Sequence, residues 1–323
     1  MLYSFKGGVS DGAQPGGPLI AVNGALYGTT VRGGGTGCGS EGCGTVYSIS
    51  TSGSEKMLYA FKGGSDGAYP STGLVDVNGT LYGTTPVGGS NINCVGQDTG
   101  CGTVYSVSMG GSETVLYSFV SMSDGWVPNS ALIDAKRMLY GTTESGGVKC
   151  GTKTEYFPLG CGTVYSVSTS GAESVLHRFN GSSLAAAIRV GGLLNVHGTL
   201  YGMTNNSASR GAVYKMGFAG DRYKVLYYFQ GDPDGLGPVG VLVGVNGLLY
   251  GTTTAGGSNN LGTVFTLTTS GKETVLYSFG GEPNGEYPKS SLTAAQGAFY
   301  GTTSAGGLPH CPDGCATVFA FTP

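Results

Sequence analysis

The chain has 323 residues, of which 63 are glycine and 13 are proline, yet 39% are hydrophobic and 10% are aromatic. This apolar content excludes a disordered chain, and the glycines lack the three-residue period of collagen. Only 11% of the residues are charged and the net charge is −3, so nucleic acid is not an expected partner, and no stretch reaches the roughly 18 apolar residues of a membrane span.

Residues 2–5 predict a short strand, Leu-Tyr-Ser-Phe, and similar segments recur along the chain. The later copies end at five phenylalanines: Phe61, Phe119, Phe179, Phe229 and Phe279. The chain therefore begins with the last strand of a repeating unit, which we name strand D. We expect this N-terminal strand to complete the last unit beside residues 317–321, so that no sheet edge is exposed there.

An Asp-Gly-x-x-Pro motif follows strand D. It begins at Asp11, Asp66, Asp124 and Asp234, with Asn284 in the sixth unit. Its regular repetition favours a structural turn in which the Asp accepts hydrogen bonds from nearby backbone amides. A calcium site at Asp232 and Asp234 is the weaker alternative, because Ca²⁺ prefers about six to eight oxygen ligands. No other cofactor is expected.

Each unit continues with three further strands, which the second unit shows clearly. Strand A is predicted over residues 74–77 and strand B over 81–85, joined by Asn-Gly, the strongest short signal for a β-hairpin. Strand C is predicted over 103–108, and a Gly-Gly turn joins it to strand D at 114–119. The unit is thus a four-stranded antiparallel sheet.

Six such units follow one another. Strand B carries Leu-Tyr-Gly-Thr-Thr or a variant, beginning at Leu26, Leu81, Leu139, Leu200, Leu249 and Phe299, and strand C begins with Gly-Thr-Val-Tyr or a variant. A period of about 50 to 60 residues is typical of propeller blades and solenoids. We predict an all-β chain, a single six-bladed β-propeller over residues 1–323, with units at about 1–56, 57–114, 115–174, 175–224, 225–274 and 275–323.

The eight cysteines fall in pairs within the loops that join strands B and C. We expect four local disulfides: Cys38–Cys43, Cys94–Cys101, Cys150–Cys161 and Cys311–Cys315. A zinc site is disfavoured because the spacings all differ and none is Cys-x-x-Cys. Disulfides predict export to the periplasm, the cell surface or the medium.

The B–C and D–A loops of a propeller emerge on one face, and here that face carries the long, cysteine-bearing loops. Binding sites usually form on such loops, although the disulfides could also serve only to hold glycine-rich segments. Trp126 lies beside Asp124, and Tyr69 and Tyr287 lie near the equivalent place in other units. Aromatic side chains there suit stacking on sugar rings, although anchoring a loop is their commoner role.

The repeat deviates most in the fourth unit, whose D–A loop, residues 181–191, lacks Asp-Gly-x-x-Pro and contains Arg189. At one level of strand A, Asp76, Asp134 and Asn195 predict a polar arc on one side of the central channel. The arc is either an ordinary water-filled lining or, with Arg189, a ligand site. Paired carboxylates are also the minimum for glycoside hydrolysis, which makes Asp76 and Asp134 weak catalytic candidates.

The Leu-Tyr-Gly-Thr-Thr, Gly-Gly, Gly-Thr-Val-Tyr and Leu-Tyr-Ser-Phe series resembles the GloVer-type ("choice-of-anchor") tandem repeat of bacterial proteins over essentially all of the chain. The resemblance implies an exported protein with a sorting or anchoring signal, and it supplies no catalytic residues.

Three functions remain open. The first is an extracellular binding or scaffold module whose loop face holds a glycan or a protein. The second is a carbohydrate-active hydrolase or lyase that uses Asp76 and Asp134. The third is a structural protein that assembles with copies of itself. The regularity of the repeat favours the first and the third.

Overall fold

The structure is a computed structural model, and it describes residues 1–91, 94, 100–120, 123–148, 160–180, 189–205, 210–307 and 315–323. The chain is a six-bladed β-propeller of antiparallel sheets, as predicted. Among the described residues the only helix is a single 3₁₀ turn, Gly64–Asp66. No helix in this part of the chain has the length and apolar character needed to cross a bilayer.

The strands follow one another in chain order. Blade 1 contains β1 (Gly12–Val22), β2 (Ala25–Gly33), β3 (Thr45–Ser50) and β4 (Glu55–Ala60), and blade 2 contains β5 (Val75–Val77), β6 (Thr80–Thr85), β7 (Thr103–Ser108) and β8 (Glu113–Ser118). Blade 3 contains β9 (Trp126–Pro128), β10 (Ile133–Ala135), β11 (Met138–Ser145), β12 (Thr163–Ser168) and β13 (Glu173–Arg178).

The remaining blades repeat this order. Blade 4 contains β14 (Arg189–Val190), β15 (Leu194–Val196), β16 (Thr199–Asn205), β17 (Ala212–Gly217) and β18 (Lys224–Tyr228), and blade 5 contains β19 (Gly235–Val245), β20 (Leu248–Gly256), β21 (Thr263–Thr268) and β22 (Glu273–Ser278). Blade 6 contains β23 (Glu286–Pro288), β24 (Thr293–Ala295), β25 (Ala298–Ala305) and β26 (Thr317–Phe321).

The chain divides into two compact structural units, each larger than one of the six repeat units, and these two are called unit 1 and unit 2. Unit 1 is Met1–Lys149 with Glu155–Arg178 and holds blades 1–3, whereas unit 2 is Cys150–Thr154 with Phe179–Pro323 and holds blades 4–6. The prediction that the whole chain forms one domain stays a prediction.

Strand A is longer than the sequence predicts. In blade 2, β5 is preceded by an isolated bridge between Ala68 and Val87, and in blade 3 both β9 and β10 pair with β11. Residues of the Asp-Gly-x-x-Pro motif therefore belong to the sheet, although the pattern indicates a loop. The residue before the proline takes a positive φ, which is 61° at Tyr69 and 56° at Val127. The bulge in strand A comes after the proline, between Gly16 and Ile20 in blade 1 and between Val239 and Val243 in blade 5.

The residues around this proline join blades 2, 3, 5 and 6 to the blade that precedes each of them. The Tyr69 amide donates to the Cys43 carbonyl of blade 1 at 2.8 Å. Pro70 packs on Gly44, where an added Cβ would lie 2.7 Å from the proline Cδ. Blade 6 repeats this contact on blade 5, with Pro288 on Gly262. This proline-on-glycine joint explains why both residue types recur in the repeat.

Strand C contributes the buried aromatic layer of each blade. Tyr105, Tyr165 and Tyr214 are fully buried, and Phe265 takes the same place in blade 5. A phenylalanine from the preceding blade meets each ring edge to face, as Phe61 meets Tyr105 with 4.9 Å between ring centroids.

A pair of threonine hydroxyls links strands B and C at the loop end of the sheet. Thr85 and Thr103 are hydrogen-bonded at 2.8 Å, and four other blades have the same pair. Blade 4 has Ala212 in place of the second threonine, and among the described residues the buried Thr204 hydroxyl then has no hydrogen-bond partner.

Residues 1–6 contain no strand in this structure. Tyr3 nevertheless hydrogen-bonds to Asp11 as the strand D tyrosines do to later motif aspartates. Val318 on β26 is 78% exposed, whereas Val264 at the same position of blade 5 is fully buried. Completion of blade 6 by the N-terminal segment stays a prediction.

Candidate functional site

The long B–C loops and the D–A connections leave the same end of each sheet, which we call the loop face. In blade 1 the B–C connection is residues 34–44, whereas in blade 5 it is only residues 257–262. Short turns close the opposite end, which we call the turn face.

Two of the predicted disulfides are confirmed within the described residues, Cys38–Cys43 and Cys94–Cys101. Cys161 and Cys315 are also disulfide-bonded. Their predicted partners, Cys150 and Cys311, lie outside the described residues. The described cysteines are compatible with an oxidising compartment.

The motif aspartates serve the fold, as the turn interpretation predicts. Asp66 accepts hydrogen bonds from the Tyr59 hydroxyl and the Lys62 amide, both at 2.7 Å. Asp124 is 5% exposed and accepts in the same way from Tyr117 and Val120. The prediction that Asp124 contacts a ligand is therefore corrected: its carboxylate is buried and committed to the D–A turn.

Each of these aspartates has a glutamate beside it from the next strand D. Burial, together with the negative charge of Asp66, raises the pKa of Glu113 to about 7. The same two causes raise the pKa of Glu173, beside Asp124, to about 7, and of Glu273, beside Asp234, to about 7. Burial alone lowers the pKa of His177, which replaces a strand D tyrosine, to about 4.

The predicted aromatic residues separate into buried and exposed ones. Trp126 is only 4% exposed and packs in the core of unit 1 with Cys94 and Cys101. It therefore anchors the loop, and its predicted ligand contact is corrected. Tyr69 and Tyr287 follow the first variable residue of their motifs, at the positive-φ position, and Tyr287 is 39% exposed. Tyr69 is partly buried and packs against the core of blades 1 and 2.

Two of the three polar residues of the strand A arc accept a hydrogen bond from the turn that follows their strand. The Asp76 carboxylate accepts from the Gly79 amide at 3.0 Å, and the Asn195 amide oxygen accepts from Gly198 at 3.1 Å. Asp134 is exposed. Asp76 and Asp134 lie on β5 and β10, two strands that contact each other, while Asn195 lies in unit 2. The side chain of Arg189 lies outside the described residues.

Unit 1 contains a series of side-chain hydrogen bonds that the sequence did not predict. The Ser71 hydroxyl donates to the Asn129 side-chain oxygen, and the Asn129 amide donates to the Glu144 carboxylate, both at 2.9 Å. Ser71 and Asn129 directly follow the motif prolines, and Glu144 follows the two threonines of strand B. These positions in the repeat could have predicted the contact, because they place all three residues at the loop end of strands A and B.

A cation and an aromatic ring extend this series of polar side chains toward blade 1. Arg32 forms an ion pair with Glu41, and its guanidinium carbon lies 5.6 Å from the centre of the Tyr69 ring. Gly16 packs closely on Ser71, since an added Cβ at Gly16 would lie 3.2 Å from the Ser71 Cα. We call Arg32, Tyr69, Ser71, Asn129 and Glu144 the loop-face patch.

The described residues offer no group of three or more His, Cys, Asp or Glu side chains that could hold a metal ion. Asp232 is exposed, and Asp234 accepts from the Tyr227 hydroxyl and the Gln230 amide. The calcium site at Asp232 and Asp234 stays an untested prediction.

Solved structures show where this fold occurs. The chain is similar to streptogramin B lyase, with a TM-score of 0.57, 13% identity, and coverage of 98% of this chain and 84% of that chain. It is also similar to a luciferin-regenerating enzyme, with a TM-score of 0.51, 11% identity, and coverage of 98% of this chain and 92% of that chain. At these identities the likeness concerns the fold alone.

A comparison with curated proteins finds no match. A family model does match, over residues 147–323, which is more than half of the chain, and its description is the Gloeobacter/Verrucomicrobia repeat. The matched segment contains the units of blades 4–6, with their strand B and strand C motifs. The chain therefore belongs to the Gloeobacter/Verrucomicrobia repeat family.

Proposed function

We propose that the chain is an exported, non-catalytic binding module that holds a glycan at the loop-face patch of blades 1–3. The observation that carries the proposal is the Ser71–Asn129–Glu144 chain of hydrogen bonds beside Arg32 and Tyr69. An amide and a carboxylate present the paired donors and acceptors that sugar hydroxyls need, and an aromatic ring offers a stacking surface.

The fixed orientation of the Asn129 side chain also supports the proposed glycan site. Asn129 is exposed, yet both ends of its side-chain amide are hydrogen-bonded to neighbours. The amide is therefore oriented before a ligand arrives, which reduces the entropy lost on binding. The disulfide Cys38–Cys43 closes the loop that carries Glu41, the ion-pair partner of Arg32.

A glycan array probed with the purified chain tests this proposal, followed by titration calorimetry with the best glycan. We expect Asn129→Ala and Tyr69→Ala each to weaken binding by about tenfold or more, since a lost hydrogen bond or stacking contact is worth about 1–2 kcal/mol. Tyr287→Ala is the matched control, because Tyr287 has the same motif position in unit 2.

Two outcomes would contradict the proposal. One is an array on which no glycan binds the folded chain. The other is glycan binding that Tyr287→Ala abolishes while Asn129→Ala and Tyr69→Ala leave it unchanged, which would move the site to unit 2.

A carbohydrate-active hydrolase or lyase is the second candidate, because Asp76 and Asp134 lie on contacting strands. Turnover of a polysaccharide that is lost in Asp76→Asn with Asp134→Asn would favour it over a binding module. Self-assembly into larger structures stays a prediction, which the mass of the purified chain in solution tests.

A further inference from the structure

An open cleft lies in unit 2 where blade 4 packs on blade 5, at the turn face. Its volume is about 590 Å³. The walls come from β15, β16 and β17 on one side and from β19 and β20 on the other. The cleft is therefore separate from the loop-face patch, which lies in unit 1 at the other end of its sheets.

Lys215 on β17 makes this cleft differ from the rest of the repeat. Lys215 pairs with Tyr201 on strand B, and the other blades have Ser48, Ser106, Ser166, Thr266 and Ala320 in the same register. Only blade 4 thus has a charged side chain at this position. The packing of the other blades therefore does not require a charged side chain at this position.

The Lys215 ammonium is half-buried and has spare hydrogen-bonding capacity. It donates to the Thr269 carbonyl at 3.1 Å. An ammonium has three donors, so two remain for other partners. The two ion pairs found in the described part of the chain, Arg32–Glu41 and Arg222–Asp221, do not involve Lys215.

The rest of the lining is apolar or uncharged, apart from an imidazole. Val196, Leu248 and Leu249 form the apolar part, and Gly244 adds no side chain where other blades have Asp76 or Asp134. Among the described residues, no carboxylate lines the cleft. A partly desolvated cation without an acidic neighbour favours a bound anion.

We propose that this cleft binds a small organic carboxylate with an apolar body, whose carboxylate is hydrogen-bonded to Lys215. The apolar body lies against Val196 and Leu248. His197 and Asn246, both at the A–B turns, border the opening and supply further donors. The proposal does not depend on the glycan site, because the two surfaces share no residue.

Titration calorimetry with benzoate as the probe tests the proposal, with benzyl alcohol as the uncharged comparison. We expect benzoate to bind and Lys215→Met to weaken it by about tenfold or more, as the loss of a charge-assisted hydrogen bond requires. Lys289→Met is the matched control, since Lys289 is an exposed lysine in blade 6 of unit 2 and does not line the cleft. It should leave benzoate binding unchanged.

Lys215→Ser supplies a second variant, because blades 1–3 fold with serine at this position. Thermal unfolding of each variant shows that the sheet is intact. The proposal is overturned if benzoate fails to bind the folded chain, if benzyl alcohol binds equally well, or if both Lys215 variants retain full benzoate affinity.

Discussion

The glycine of each Leu-Tyr-Gly-Thr-Thr segment occupies a place where no side chain fits. At Gly83 an added Cβ would lie 2.6 Å from Tyr105 Cζ, and at Gly251 it would lie 2.6 Å from Phe265 Cζ. The ring of strand C therefore rests directly on the backbone of strand B. This close approach, and not a turn, is the reason that glycine interrupts a strand otherwise composed of good strand formers.

Gly83→Ala is expected to destabilise the chain by about 1–3 kcal/mol, because the added methyl group overpacks a fully buried ring. Gly110→Ala is the matched control in the same blade. Gly110 has no positive φ, and the nearest atom to its added Cβ is 3.6 Å away. Urea unfolding of both variants measures the difference, and equal midpoints for the two would contradict the packing argument.

The sequence predicted the role of some single residues better than that of others. The turn role of Asp66 and Asp124 followed from the regular motif. For Trp126 the sequence left sugar stacking and loop anchoring open, and its burial supports loop anchoring, although the pattern does not reveal the positive φ of Val127 beside it. The Ser71–Asn129–Glu144 chain was missed for a related reason: its residues meet only once blades 2 and 3 are packed together.

At the scale of the strand, the sequence predicted the order A to D, because short turns such as Asn-Gly and Gly-Gly join successive strands. It did not predict that strand A begins inside the Asp-Gly-x-x-Pro motif. Proline and glycine normally end a strand, but here the chain pairs with the end of strand B in one register on both sides of Pro15 and Pro238, and the bulge follows the proline.

The link between strands B and C in blade 4 offers an element-scale prediction. Ala212→Thr is expected to stabilise the chain by about 1 kcal/mol, because the new hydroxyl can pair with Thr204 as Thr103 pairs with Thr85. Ala212→Val adds the same volume without the hydroxyl and serves as the control. The free energy of unfolding in urea checks this, and a valine variant as stable as the threonine variant would contradict it.

The stability of the molecule as a whole should depend on pH through the three glutamates of the strand D junctions. Glu113, Glu173 and Glu273 have pKa values of about 7 in the folded chain, against an ordinary value of 4.5. Between these values the folded state binds more protons than the unfolded state, so the free energy of unfolding falls as pH rises from about 4.5 to 7. His177, with its pKa lowered to about 4, has the opposite effect but is a single group.

Thermal unfolding at pH 4.5, 6 and 7.5 is the measurement for this pH effect, and we expect the transition temperature to fall across the series. The variant with Glu113→Gln, Glu173→Gln and Glu273→Gln should lose most of the fall, because the remaining effect of Glu55, whose pKa is also raised by burial, is opposed by the effect of His177. A fall of the same size in this variant would show that other groups cause it.

The proline-on-glycine joint gives the repeat units that contain the motif proline two different ends, whereas the fourth unit lacks this proline. The glycine that precedes strand C contacts the proline of the next unit, and the proline of strand A contacts the glycine of the previous unit. Pro70 contacts Gly44 and Pro288 contacts Gly262 in this way. A unit copied in tandem therefore brings both halves of its joint with it. The number of units in a gene of this kind can change by duplication or deletion without a new interface having to evolve, and sequence divergence is left free to act within single units, as it has around Lys215.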